Sequence, residues 1–287
     1  MIPRFSTLFS LIALSALCVF CQSTPEDSGV TPTPTTPTTP TTPVVYEFVS
    51  TPSWADEFDY TGLPDATKWG YDLGAGGWGN NEKQTYTKSL DNARVENGKL
   101  IIEARAVSGY SSARLVTKNK GDWTYGKFEI RAKLPKGTGT WPAIWMLPTK
   151  QSYGTTYWPD NGELDIMEHV GYDQGVVHGS VHTNLNNWPK NTQLTATTEV
   201  KDCSEAFHNY IVEWTPKEIK IFVDNKQFFY MLNKDYAYWE YWPFNQPFHL
   251  LLNIAIGGNW GGQKGIDDTI FPQRMEVEYV RVYELKK

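Results

Sequence analysis

Asn161 to His169 read NGELDIMEH, which sets Glu163, Asp165 and Glu168 among Leu164, Ile166 and Met167. Like charges this close must be solvated, bridged by a cation or put to use in a reaction. On a strand, alternate side chains share a face, so Glu163 and Asp165 point one way and Leu164 and Ile166 the other. Glu168 comes one residue too late to join them. It can do so only if the strand takes in an extra residue, a β-bulge near Ile166 or Met167, a device enriched beside active sites. At about 3.3 Å per residue, the outer Cα atoms then lie roughly 13 Å apart. Two glutamates leaning inward close much of that gap. At about 5–5.5 Å between carboxyls, one can attack an anomeric carbon while the other protonates the leaving oxygen. Mutual repulsion keeps a proton on the last carboxyl to ionise, as a general acid needs. Asp165 lies between and can share a hydrogen bond with either neighbour. An exposed acidic face, or part of a cation site, is the alternative, and the carboxylates alone do not decide.

Other residues could hold a sugar. Trp141 and Trp145 in GTWPAIWML share a face if the segment is a strand, and indole faces stack on the C–H faces of pyranoses; core filling is the plainer role. HGSVHT gives His178, Ser180 and His182 one parity. These histidines read as structural or site residues, and metal ligation by His178 and His182 is a third reading. GGWGNNE holds Asn80, Asn81 and Glu82 in a Gly-rich loop, where turn formation alone explains amides, although amides also bond sugar hydroxyls. Asn253 interrupts the apolar FHLLLNIAIGG, so it faces a cleft or is bonded in the core. Trp260 in GGNWGG has little structural reason to sit on a flexible loop.

The elements that must position these residues read as strands. GKFEIRAKL alternates strictly, EIKIFVDNKQFFYML reads as a hairpin turning at Asp224-Asn225, and GKLIIEARA and MEVEYVRVYEL are further strands. FHLLLNIAIGG reads as a strand buried on both faces. One helical turn is expected near DCSEAFHNY. Many short strands with Gly and Pro turns point to an all-β sandwich, with no repeat to suggest a propeller.

The chain of 287 residues carries 26 Lys and Arg against 32 Asp and Glu, net −6, which argues against nucleic acid as a partner. Its 12 Trp, 16 Tyr and 13 Phe suit either a large core or a cleft paved with flat apolar faces. A short basic start and the apolar FSTLFSLIALSALCVF form an export signal over residues 1–21, too short for a comfortable membrane span. Cys21 at its end resembles the lipidated cysteine of bacterial lipoproteins, although Phe20 is bulkier than the usual preceding residue. Residues 22–45 contain TPTPTTPTTPTTP, an extended semi-rigid spacer. Residues 46–287 are the expected domain. The protein is therefore expected at the cell surface or outer membrane as a lipoprotein, or secreted, and to meet membrane only through that lipid. Cys203 remains alone in the folded part, so no internal disulfide can form.

GELDIMEHVG resembles the bulged E-x-D-x-x-E signature of glycoside hydrolase family 16, in its laminarinase-like branch. WADEFDYTGLPDATKW, GGWGNNEKQTYT, GKFEIRAKLPKGTGTWPAIWML, HGSVHT and NIAIGGNWGG resemble their counterparts there in the same order. The resemblance implies a β-jelly-roll with a concave substrate cleft. It implies a retaining endo-acting hydrolase of β-1,3-glucan, working as a monomer without a catalytic cofactor. By position, Glu163 is the nucleophile, Asp165 the assisting carboxylate and Glu168 the general acid/base. Trp141, Trp145 and His182 would line the cleft, with Asn80 and Arg114 contacting sugar. Mixed-linkage β-glucan, a marine galactan such as agarose, and binding without catalysis are the alternatives. A structural calcium is implied at Glu57, the Gly98 carbonyl and Glu278, where aspartate is commoner.

Overall fold

Strict alternation of burial marks the strand that GKFEIRAK forms. In GKFEIRAK, Gly126, Phe128, Ile130 and Ala132 are buried and the residues between them are half-buried. The computed structural model describes residues 44–234 and 238–286. The leader, the Thr/Pro tract of the spacer and Cys21 fall within residues 1–43, outside the described residues. In chain order the strands are β1 (Trp54–Asp56), β2 (Gly70–Asp72), β3 (Thr85–Tyr86), β4 (Ala93–Glu96), β5 (Lys99–Ala106), β6 (Tyr110–Ser112), β7 (Arg114–Val116), β8 (Asp122–Trp123) and β9 (Gly126–Lys133). They continue as β10 (Thr140–Pro148), β11 (Glu163–Glu168), β12 (Val176–His182), β13 (Leu194–Glu199), β14 (His208–Trp214), β15 (Glu218–Val223), β16 (Lys226–Leu232), β17 (Phe248–Ile256) and β18 (Gln273–Tyr283). Among the described residues, helix is limited to three short 3₁₀ turns. Near DCSEAFHNY a single turn closes on the Asp202 carbonyl, and the chain then extends into β14.

Two sheets result. One runs β13-β12-β11-β10-β17-β7-β2, with β8 also on β17. The other runs β16-β15-β14-β9-β18-β5-β6-β3, with β1 on β18 and β4 on β5. The pairing is antiparallel except between β3 and β6. Between the sheets, Ile144, Met146, Leu164, Leu250, Leu252 and Ile254 meet Phe128, Ile130, Val212, Val277 and Val280 in one core, all fully buried. Truncating one of these, as in Leu164→Ala, costs about 2–5 kcal/mol in lost transfer energy and cavity. β17 is buried along its whole length. It lies inside its sheet, and its far end is roofed by the chain after GGWGNNE, where Lys83 N–H donates to the Ile256 carbonyl and Gln84 Oε1 accepts from Ile256 N–H.

Candidate active site

The bulge lies where the spacing of the acids demands it. Across β10, Trp145 pairs with Asp165 and Ile144 with Met167, leaving Ile166 without a partner. Across β12, Glu163 pairs with His182, Asp165 with Ser180 and Glu168 with His178. Two steps on β12 thus match three on β11. All three carboxylates take the parity of His178, Ser180 and His182, on the sheet face away from the core. Leu164, Ile166 and Met167 are all fully buried on the other side. Gly162, with φ +86°, turns the chain into β11, and a Cβ there would lie 2.7 Å from Pro243 Cγ. Just upstream, the buried Asn161 amide accepts from the backbone of Ser152 and Tyr153 and donates to the carbonyls of Tyr153 and Thr156. This knot shapes the 149–162 loop, which carries Trp158 to His182, ring centroids 5.9 Å apart.

The pairing aligns one polar row across the sheet: Thr197, His178, Glu168, Ala143, Asn253, Arg114 and Asp72, each opposite the next. Around the acids, His182 Nε2 lies 3.4 Å from Asp165 Oδ2 and 3.9 Å from Glu163 Oε1. Trp141 donates Nε1–H to Glu168 Oε1 at 3.0 Å. Trp260 stands edge-on to both Trp141 and His178, at 5.5 and 4.8 Å. Burial, then the neighbouring carboxylates, push Glu163 up to about 8 and Glu168 to about 7; Asp165 is held well above the carboxylate range for the same reasons. Protons added near neutral pH are therefore shared by the set. Such a set can hold one carboxylate ionised beside a protonated one, the requirement for paired nucleophile and acid chemistry.

Further along the row, Trp145 donates Nε1–H to Asn253 Oδ1 at 2.7 Å, and Asn253 Nδ2–H donates to the Tyr86 hydroxyl at 3.0 Å. Asn253 thus has the face of a cleft residue and the bonds of a buried one. Arg114 lies between Trp145 and Trp78, 4.6 and 5.0 Å from their ring centres, with Nε 3.0 Å from Asp72 Oδ2. Asn80 lies in the loop after the Gly77–Gly79 turn, its carbonyl accepting from Asn259 N–H while Asn81 donates to Asn259 Oδ1. GGWGNNE and GGNWGG are therefore clasped together, which fixes the loop bearing Trp260.

Sequence reasoning takes Glu82 only as a member of the Gly-rich loop and passes over Trp78, Tyr86, Asp72 and Trp158. Glu82 is a mostly buried acid whose pKa burial raises, held by Gln84, Asn80 and Tyr86. Trp78 and Glu82 stand in the same Gly-rich loop, and Trp158 lies five residues before Glu163. No local pattern marks Tyr86 or Asp72, whose partners Asn253 and Arg114 are distant in sequence.

Both acids named for calcium are taken up by arginines. Glu57 holds Arg281 through two bonds of 2.8 Å, and Arg131 Nε lies 2.6 Å from Glu278 Oε2. Gly98 occupies the turn between β4 and β5. Calcium takes six to eight oxygens, whereas each carboxylate here faces a guanidinium, so these residues as arranged do not fit the ion.

Comparison with known proteins agrees with this geometry. Residues 80–281 match the model of Glycosyl hydrolases family 16. A beta-glucanase of Rhodothermus marinus is 56% identical over 239 residues, covering 80% of this chain and 84% of that protein. The X-ray structure of the laminarinase from Rhodothermus marinus superposes with TM-score 0.82 at 53% identity, over 85% of this chain and 100% of that one. SCLam, a non-specific endo-beta-1,3(4)-glucanase, superposes with TM-score 0.76 at 42% identity, over 83% and 94% of the two chains. With the match spanning most of the chain and relatives this similar along four-fifths of it, the protein belongs to glycosyl hydrolases family 16.

Proposed function

We propose that the protein is an endo-β-1,3-glucanase that cleaves laminarin-type glucan with retention of configuration. The observation that carries this reading is the bulge at Ile166, which sets Glu163 and Glu168 on one face with Asp165 between them. In the state of the coupled set that leaves Glu163 ionised and the proton on Glu168, Glu163 attacks the anomeric carbon as the glycosidic C–O bond breaks, and Glu168 gives its proton to the leaving oxygen. Asp165 shares its proton with Glu163 and steadies it. In the second half, Glu168 takes a proton from water, the water oxygen bonds to the anomeric carbon, and the ester to Glu163 breaks. Protons and electrons balance on two carboxyls and one water, so the reaction calls on no cofactor. Trp141 and Trp145 offer indole surfaces to pyranose rings, and Arg114 and Asn80 hydrogen-bond hydroxyls along the same row.

Laminarin and lichenan side by side test the polymer; the SCLam likeness makes mixed-linkage glucan the second reading. β-anomeric oligosaccharides from laminarin, lost in Glu163→Gln and Glu168→Gln, are expected. Inverted products, or cleavage of agarose alone, would overturn the assignment. An aryl glucoside with a good leaving group should be cut by Glu168→Gln far better than laminarin, because it needs no proton. The leader and Cys21 support an exported, lipid-anchored protein, which labelling with a radioactive fatty acid and its loss in Cys21→Ser would test.

A further inference from the structure

His182 brings a nitrogen to the acid pair. Its Nε2 stands 3.4 Å from Asp165 Oδ2 and 3.9 Å from Glu163 Oε1. Asp165 is 1% exposed, and its Oδ2 has no hydrogen-bond partner. Among the described residues, these three form the one group of His, Cys, Asp or Glu whose ligand atoms converge, all within 4.8 Å of one another. Ligand atoms about 2.0–2.1 Å from a tetrahedral zinc ion lie about 3.3–3.4 Å from each other. The His182–Asp165 spacing already meets that value, and Glu163, at a strand end and part-exposed, needs only a small side-chain shift.

We infer that Glu163, Asp165 and His182 form a tridentate site for a borderline-soft divalent cation such as zinc, seated on the sugar-facing side of β11. One imidazole and two carboxylates are a zinc-type donor set with a fourth position left for water. The imidazole nitrogen favours zinc over magnesium or calcium, hard cations that take oxygen ligands. Binding ties up the attacking oxygen of Glu163, so zinc competes with glucan. The cation site stands apart from the proposed hydrolysis; only the competition rests on it. The other histidine between acids, His208, meets Asp202 through Nε2 and Asp224 through Nδ1, on opposite edges of its ring, and so offers no convergent set.

Calorimetric titration of the full chain with zinc chloride tests this. Wild-type protein should bind one more equivalent than His182→Ala or Asp165→Asn, or bind it at least tenfold more tightly; His208→Ala should match wild type. Zinc should raise the Tm of wild type and not that of Asp165→Asn, and it should raise the laminarin KM with kcat unchanged. Equal zinc affinity in wild type, His182→Ala and Asp165→Asn overturns the proposal, as does a loss that follows His208→Ala. Zinc binding without laminarin cleavage would sink the hydrolase reading and leave the cation site standing, and the reverse pattern would do the opposite.

Discussion

Trp141 donates its indole N–H to Oε1 of Glu168 at 3.0 Å, so one side chain both offers a stacking face and holds the acid. The bond leaves Oε2 as the natural seat of the transferable proton. It also favours the ionised form, because a donor stabilises the carboxylate.

Trp141→Phe keeps the aromatic face and removes the donor. Glu168 then ionises at higher pH, and since the acid must be protonated, the high-pH limb of kcat/KM should move up by about one unit, the equivalent of about 1.4 kcal/mol. A pH profile on laminarin checks this. An unmoved limb with a raised KM would reduce Trp141 to a stacking surface.

Glu163 should cost the fold stability near neutral pH. Its proton is held up to about pH 8 in the fold but leaves near 4.3 in the unfolded chain. Between those values the unfolded state binds fewer protons, so stability falls as pH rises. Glu163→Gln should therefore be more stable than wild type at pH 8, with a Tm higher by several degrees, and equal to it near pH 4. Thermal melts at the two pH values decide it, and no gain at pH 8 would refute the burial cost.

Asn253→Leu should loosen Trp145. The indole N–H loses its acceptor, and leaving it unpaired costs about 1–3 kcal/mol. Laminarin KM should rise severalfold with a smaller change in kcat, alongside a lower Tm. A variant with normal KM would show that Trp145 holds its place without the amide.

Calcium should leave the fold unmoved. With Glu57 paired to Arg281 and Glu278 to Arg131, added calcium chloride should shift the Tm of zinc-free protein by less than about 2 °C, a change of under about 1 kcal/mol. A larger rise with calcium would mean that the arginines give way to the ion.

Much of the site was legible because parity leaves few choices. Acids at positions two and three apart cannot share a strand face without an extra residue, and the core needs of Ile166 and Met167 put that residue between them. The strands β9, β17 and β18 announced themselves by alternation or by unbroken apolarity. Partners far apart in the chain were not legible. Asn253 offered two readings until Trp145, 108 residues away, was found on its Oδ1. Arg131 and Arg281 reach the calcium candidates only through the pairing of β18 with β9 and β1, which no local pattern reports. Asp56 in WADEFD accepts from Trp69 Nε1 and the Tyr60 hydroxyl and is a buried structural clasp.

The unpartnered Ile166 has one more consequence. Sliding β11 by a single position against its neighbours would drive a carboxylate into hydrocarbon or push an apolar side chain out to water. Either error costs several kcal/mol, so the hydrophobic interior acts as a ratchet pawl for the acids, and their alignment should survive until the sandwich itself melts.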